Sequence, residues 1–503
     1  MNTPNPNHVY DAVIVGSGAG GAAAAYTLAR AGLDVLLLEK GRELPDDGTT
    51  LDFRAVVHEG RFRSTEAWRD GRSRPLVPEE YFNVGGKTRW FGAALLRYGE
   101  HEFSRDDAHQ CRAWPIGWHD MLPWYEQAER LLGVRHFECE PALARIVARL
   151  EAAGRGWQSS PLPLGLDERI ADHALEARHF DGFASVAGLK GDARRAFLAP
   201  LARVGNFALA TGEEVIRLLA RPERPTEIVG VATASGATFH ARQVLLAAGA
   251  LHTPRLVARH LREHDLERTL PVARHVGRHL KLHLLTAMLA FGTGRPTDLL
   301  RKTRYLTHPA VPHSSVQPLG FDGELLGTLI PRLVPRAIAR QLGAHAYGFF
   351  LQTEDGSHPD NRVVDAGRSA APVLDYDDSR LVPARLEHGR LVARLRRSLA
   401  AAGLLAFSQR IGLAGTAHAC GTMIAGLDPA DSVVDTWGRI HGMQGIRVVD
   451  GSVLPRSSRV NPSLSIFGWS LRSASQLAEV LRPEHRAAAH TGHANSLLLG
   501  ARA

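Results

Sequence analysis

The chain has 503 residues, more than one ordinary hydrophobic core accommodates, so at least two domains are expected. Hydrophobic residues make up 44%, which excludes a disordered chain. The formal charge of +8 is carried almost wholly by arginine, and the arginines form no run beyond pairs such as Arg194-Arg195 and Arg396-Arg397, which argues against nucleic-acid binding.

The first residues, MNTPNPNH, are polar and contain prolines, unlike a secretory signal. An ordered stretch follows. Val13-Ile14-Val15 reads as a short buried strand, Gly16, Gly18 and Gly21 fall at the G-x-G-x-x-G spacing, and Ala22–Arg30 reads as a helix. A second apolar run, Val35–Leu38, ends in Glu39, 18 residues past Gly21. In such a pattern Gly16 permits a sharp turn, Gly18 lets a pyrophosphate approach the backbone, and Gly21 lets helix and strand pack closely. The helix start offers free N–H groups to phosphates, and Glu39 can accept hydrogen bonds from a ribose. Ser17, Ala19, Gly20 and Lys40 complete the expected dinucleotide contact. Residues 12–29 are uncharged over the length of a membrane span, but their glycines sit at the dinucleotide spacing, so no membrane span is expected.

From Glu39 to about Pro78 the sequence is polar and is expected to wrap over the surface. Gly85-Gly86, followed by Thr88, suits either a second backbone nest or an ordinary turn. Met121–Leu132 reads as an amphipathic helix with Asp120 as N-cap. Pro141–Ala153 and Asp192–Arg203 read as helices, with irregular, His-rich sequence between them. Phe207–Thr211 and Val215–Leu219 read as strands, and Glu227–Ala232 and Ala237–Ala241 as a pair about Ser235-Gly236. Gln243–Ala250 is a continuous apolar run, the pattern of a buried parallel strand that delivers backbone to a ligand. Thr253 and Pro254 open a helix as N-cap and first helical residue.

Residues 280–380 alternate like an antiparallel sheet, with His283–Phe291, Gly348–Thr353 and Arg362–Asp365 as strands and Pro331–Gln341 as a short helix. Pro383–Ala402 reads as a long helix with Leu386, Leu391, Leu395 and Leu399 at helical spacing and its arginines in solvent. The tail after Pro483 is expected to be disordered, and its His485, His490 and His493 make no metal motif. Cys111, Cys139 and Cys420 are odd in number and lack metal spacing, so neither a disulfide framework nor a metal is expected, and a reducing, cytoplasmic location fits.

A second informative block comprises Ala417–Met423, Ser432-Val433-Val434-Asp435, Ile446–Ser452 and Val460–Phe467, with a helix running to Leu481. Arg447–Val449 reads as a strand delivering Asp450-Gly451. Asn461 precedes Pro462 and an apolar helical pattern. It suits a helix cap, or a helix start that points unpaired N–H groups at something anionic.

On these residues, over about 9–482, the chain resembles the glucose–methanol–choline (GMC) oxidoreductases, FAD enzymes that oxidise alcohols. The glycine fingerprint is common to many flavoproteins. Gly249–Pro254 and the order His–x–x–Gly–Thr, Ser-Val-Val-Asp, Val-Asp-Gly-Ser, Asn-Pro are more specific. The resemblance implies that His418 is the catalytic histidine and Asn461 the second active-site residue. It implies that Asp450 and Gly451 hold the FAD diphosphate and ribityl chain, and that Pro462 and Ser463 lie beside the flavin pyrimidine ring. Val215 would meet the adenine, Ala248 and Gly249 would meet the cofactor, and Gly85, Gly86, Thr88, Trp90, Phe91 and Gly92 would form the loop passing the isoalloxazine. A neutral imidazole would take the hydroxyl proton, the hydride would go to flavin N5, and Asn461 would hold the substrate oxygen.

Trp90 stands where members with covalent flavin carry histidine, so non-covalent FAD is expected. Phe91 replaces the loop's usual polar residue, and Lys87 and Arg89 add charge, which leaves oxygen or a quinone or other carrier open as electron acceptor. The Asn-Pro-Ser-Leu ending resembles the pyranose-oxidising and gluconate-dehydrogenase-like branches. The expected fold is α/β (α+β overall): a Rossmann-like FAD-binding domain of residues 1–50, 80–110, 195–280 and 425–483, and a discontinuous antiparallel-sheet substrate domain of 111–194 and 281–424, with 484–503 as tail. A sugar, glycoside or polyol is the expected small-molecule substrate. A hydrophobic or polycyclic secondary alcohol in natural-product tailoring, an FAD-containing lyase on the same scaffold, and a non-catalytic binding module are the alternatives.

Overall fold

Residues 4–152, 156–328, 330, 334–367 and 370–499 are described by the computed structural model, with side chains as far as Arg482. In chain order the main elements begin with β1 (Val9–Val15), α1 (Ala19–Arg30), β2 (Val35–Glu39), α2 (Trp118–Leu132), α3 (Pro141–Ala152) and β3 (Gln158–Pro161). Then come β4 (Phe207–Thr211), β5 (Val215–Arg221), β6 (Arg224–Thr233), β7 (Thr238–Leu246) and α4 (Thr253–Glu263). The second half holds β8 (Leu284–Phe291), β9 (Arg304–Thr307), β10 (Ser314–Pro318), α5 (Arg336–Ala344), β11 (Ala346–Thr353), α6 (Val382–Ala401), β12 (Leu405–Arg410), β13 (Ile446–Val448) and α7 (Ser463–Leu499).

The first sheet has the order β4-β2-β1-β7-β6-β5, with β13 beside β7. Its centre is parallel, Val13 facing Leu36 on one side and Val244 on the other. β2 and the Val13–Val15 end of β1 are buried on both faces, as their unbroken Val/Ile/Leu runs require. Gly16 makes the turn after β1 at φ +98°, in the left-handed region that glycine adopts without strain. A Cβ on Gly21 would stand 1.8 Å from the Gly16 carbonyl oxygen, and one on Gly20 would stand 2.0 Å from that of Val449, so helix α1 lies directly on the strand ends. From outside, α7 covers α1 and its Ser470 hydroxyl donates to the Gly20 carbonyl at 2.5 Å.

The second sheet is antiparallel, in the order β12-β8-β11-β10-β9-β3. Helix α6 packs Leu391, Leu395 and Leu399 on Met288, Ala290 and Phe349 from one face of it. Leu386, expected with them, is 63% exposed: five residues before Leu391, it is turned about 140° round the helix, away from the face on which Ala384, Glu387 and His388 are buried.

The segment from Leu454 to Asn461 joins the two sheets. It leaves β13 and passes over β10 and β11 before α7 begins. Arg456 forks onto Glu354 of this second body, Nε to Oε1 at 2.8 Å and an outer nitrogen to Oε2 at 2.6 Å, with both side chains at most 1% exposed. Burial alone would raise the Glu354 carboxyl, but the Arg456 and His313 contacts hold it well below the ordinary carboxylate range. The Ser458 hydroxyl and the Arg459 N–H donate to Glu102, Ser457 donates to Asp355, and the Arg459 carbonyl accepts from Ser315 and Gln352.

Several local expectations change. α2 starts at Trp118, and Asp120 sits at its third position, accepting the Gly117 N–H at 2.8 Å. α4 starts at Thr253, whose hydroxyl bonds Asp450 and caps nothing. The runs at Ala237 and Gln243 form one strand, β7, antiparallel to β6 first and parallel to β1 and β13 after. The region 192–203 is a π turn at Arg194–Leu198 and a 3-10 turn at Ala199–Leu201, where Pro200 removes a helical donor. The stretch 40–78 is not all surface, because Leu51 and Val56 pack against Trp90, and Trp68 against Leu280. The helix expected from Pro331 is described from Arg336; residues 331–333 and Ala153 lie outside the described residues. The backbone of α7 continues helical past Pro483 to Leu499, through most of the tail expected to be disordered. Among the described residues, no helix is long and apolar enough to cross a membrane.

Replacing Arg456 with methionine leaves the Glu354 charge buried without its main partner, which typically costs about 3–5 kcal/mol. Chemical denaturation should show a loss of that order for R456M and recovery of most of it in E354L/R456M. A single-variant loss below about 1 kcal/mol would contradict the assigned role.

Candidate functional site

A continuous cavity of about 1350 Å³ is lined from both sheets. Ordinary small-molecule sites hold roughly 300–1,000 Å³, so this one has room for an extended ligand and a second molecule.

The glycine turn forms one end. Gly18 caps α1 with no side-chain hydrogen bond, and the space where its Cβ would be is open. The first N–H groups of α1 thus have an unobstructed approach, the arrangement that binds phosphate. Glu39 braces the turn from the next strand: Oε2 accepts from the Ser17 N–H at 2.9 Å and its hydroxyl at 2.5 Å, and Oε1 from the Gly41 N–H at 2.8 Å. Burial raises the Glu39 carboxyl although these bonds oppose it. Lys40 turns to the protein's own Glu66 and Glu214 and lies 4.2 Å over the Phe82 ring.

The second glycine loop rests on the first. The Gly85 N–H donates to the Ser17 hydroxyl at 3.0 Å, and a Cβ on Gly86 would come within 3.1 Å of the Gly18 Cα. Thr88 stitches the loop by donating to the Gly85 carbonyl and accepting from the Ala193 N–H. Lys190, buried behind it, donates to the carbonyls of Arg89, Phe91 and Phe183, and burial pushes its amine down to about 7. Trp90 stacks on Tyr81 at 5.0 Å and donates to Asn83. Lys87 is paired with Glu80 and Arg89 with Asp192, so the added charges of this loop are neutralised within the protein. Phe91 and Gly92 reach the cavity wall; a Cβ on Gly92 would collide with the ion pair Asp181–Lys302.

Asp450 gathers four donors. Oδ2 takes the Gly249 N–H at 2.8 Å and the Thr253 hydroxyl at 2.5 Å, and Oδ1 takes the N–H and hydroxyl of Ser452. It clamps the end of β13 to the turn after β7, and with Gly451, Val215, Ala248, Pro462 and Ser463 it lines the cavity. Gly16, Ala19 and Gly20 line it as well, whereas Gly21 and Gly85 stand one layer behind the wall.

His418 and Asn461 meet farther along the same wall. The first helical bond of α7 runs from the Ile466 N–H to the Pro462 carbonyl, so Pro462 occupies the cap position and the Asn461 side chain is turned away from the helix. Its Nδ2 donates to His418 Nε2 at 3.2 Å, and its Oδ1 accepts from Gln317 Nε2 at 2.5 Å. The capping reading of Asn461 is therefore replaced by a relay of three side chains. Accepting at Nε2 puts the imidazole proton on Nδ1, which is buried without a partner. Burial, reinforced by His283, Lys302 and Lys87, pushes the His418 imidazole well below its ordinary value of 6.5. His283 meets His418 edge-on at 4.9 Å and is held through Nε2 by the Ser458 carbonyl at 2.8 Å. Gln317, His283 and the pair Asp181–Lys302 escape the sequence reading. Gln317 lies 144 residues from Asn461, and no motif spans that gap.

The open Gly18, the start of α1 free of any side-chain cap bond and the volume of the cavity fit the diphosphate and both rings of FAD. Valine at position 18 keeps an allowed backbone, since φ there is −65°, but fills the approach. G18V should fold with unchanged denaturation and purify with at least about tenfold less flavin, measured by absorbance; full flavin content would contradict the assignment.

Residues 11–328 match the family model described as FAD dependent oxidoreductase, and residues 361–469 the model described as GMC oxidoreductase. A 6'''-hydroxyparomomycin C oxidase of Streptomyces lividus is 30% identical, over 96% of this chain and 93% of its own. A paromamine 6'-oxidase of Streptomyces fradiae is 31% identical, over 97% and 94%. The crystal structure of pyridoxine 4-oxidase from Mesorbium loti has the same fold, with TM-score 0.67 at 20% identity over 93% of this chain and 99% of that one. The chain belongs to the GMC oxidoreductase family of FAD-dependent enzymes.

Proposed function

We propose that this enzyme oxidises a CH–OH group of a sugar, glycoside or polyol to a carbonyl at the His418–Asn461 pair. The observation that carries the reading is the 3.2 Å contact between His418 Nε2 and Asn461 Nδ2 on the wall of the FAD cavity. A hydroxyl that inserts between the two atoms replaces this contact: its oxygen accepts from the Asn461 amide and its proton points at the Nε2 lone pair. His418 is neutral, so it takes the hydroxyl proton as the carbon gives up its hydride. FAD, when bound, supplies the hydride acceptor. Gln317 fixes which end of the Asn461 amide faces the histidine. The Asp181–Lys302 pair beside Gly92 offers polar contacts to the remaining hydroxyls. Support for the substrate class comes from the two relatives, whose names place their oxidation on paromamine and on 6'''-hydroxyparomomycin C. The same names support oxygen as the acceptor, and the free cysteines fit a cytoplasmic location.

Anaerobic mixing with a panel of alcohols should bleach the flavin, and His418→Ala should slow that bleaching by about 10²–10⁴-fold. A change within threefold would remove His418 as base. Because the imidazole is held below 6.5, the rate of bleaching should stay level as pH falls from 8 to 6.5, with its acid limb lower still. A limb centred above 6.5 would contradict that protonation state.

A further inference from the structure

The second sheet has one face under α6. Its other face is apolar: Leu289 and Ala346 are buried there against Leu319 and Leu326, with Phe291 and Phe350 packed on them, and beyond that cluster it lines the cavity. Ala287, Leu289 and Phe291 of β8, Phe350 of β11, and Leu405 and Phe407 of β12 all point into the cavity. An antiparallel sheet with one solvated face ordinarily carries polar side chains there. Here Leu405 is 64% exposed and Phe407 61%, on the edge strand.

The register orders these residues into rungs. Phe350 pairs with Ala287 and that with Gln409; Leu289 pairs with Phe407; Phe291 pairs with Leu405. The first rung is at the reacting end, since the Phe350 ring lies 6.1 Å from that of His418. The last two are joined by the Phe291 and Phe407 rings, 6.0 Å apart. Four residues of strand from Ala287 to Phe291 span about 13 Å. An apolar strip of that length therefore starts beside His418 and ends on exposed side chains.

The geometry points to an amphiphilic substrate: the CH–OH sits at His418 and Asn461, and a hydrocarbon arm of the same molecule lies along the strip. This rests on the reading of His418 and Asn461 as the site of oxidation. The occupant is an arm of the substrate because the strip is continuous with the wall that bears His418. A glycoside with an apolar aglycone has this form, whereas a free sugar leaves Leu405 and Phe407 exposed to water, a cost for apolar surface continuous with the rest of the strip.

The test uses the full-length, FAD-loaded enzyme and straight-chain primary alcohols from butanol to octanol. Binding is read anaerobically by perturbation of the flavin spectrum, and oxidation by its bleaching. Kd should fall by about fourfold per added methylene. The double variant L405Q/F407Q changes two exposed positions, and with flavin still bound it should flatten that dependence. A Kd independent of chain length, or an equal slope in the variant, would overturn the proposal. Self-association abolished by the variant, with flat alcohol binding, would overturn it in favour of a second copy on the strip. The two readings fail separately: bleaching without chain-length dependence removes the strip and keeps the oxidation, and chain-length-dependent binding without bleaching supports the strip and counts against the oxidation.

Discussion

The buried pair Glu354–Arg456 is the interaction on which the site depends. It fixes the segment between β13 and α7 against a sheet that belongs to the other half of the molecule. Five residues past Arg456 lies Asn461, and this anchored segment carries it to its place between Gln317 and His418. A buried fork of this kind adds little net stability over an apolar substitute, but removing one partner is costly. Its consequence is one register for the chain entering α7. The start of that helix and the Asn461 amide are then presented to the cavity together.

The same device recurs at two turns that line the cavity and in loops outside its lining. Glu39 holds the first glycine turn through Ser17 and Gly41, and Asp450 holds the turn at Gly249. Glu102 holds Gly99 and Arg459, and Glu140 holds the N–H groups of Leu299 and Arg301. Loops otherwise carry unsatisfied N–H groups, and a buried carboxylate that collects two or three of them forms charge-assisted bonds. Glu39 and Asp450 lie at positions usually read as ribose or diphosphate ligands. Here they also shape the protein that would hold those groups.

The parts legible in the sequence are those built from contiguous residues. Gly16, Gly18 and Gly21 each do what their spacing implies: a positive φ, an open approach and a close helix contact. Strand β2 and the ends of β1 and β7 follow from apolar runs, whereas the polar first half of β7 reads as a separate strand. Positions set by distant partners are harder to read. Thr253 has the composition of a cap, yet its side chain is claimed by Asp450 across the molecule. Asn461 also suits a cap, and it is the family resemblance, not the local pattern, that places it with His418, which it meets at 3.2 Å. Leu386 stands five residues before Leu391, a spacing that turns it to the solvent face while Ala384, Glu387 and His388 beside it are buried. Gln317 and the apolar strip arise from strand pairing, which local pattern does not encode.

In the proposed reaction His418 and Asn461 act on one hydroxyl. The most direct measurement is the rate of anaerobic flavin bleaching in H418A, N461A and H418A/N461A with the same alcohol. Groups that serve one transferred proton are not additive, so the double variant should be about as slow as H418A alone. If the two losses simply multiply, the residues act independently and the paired mechanism is wrong.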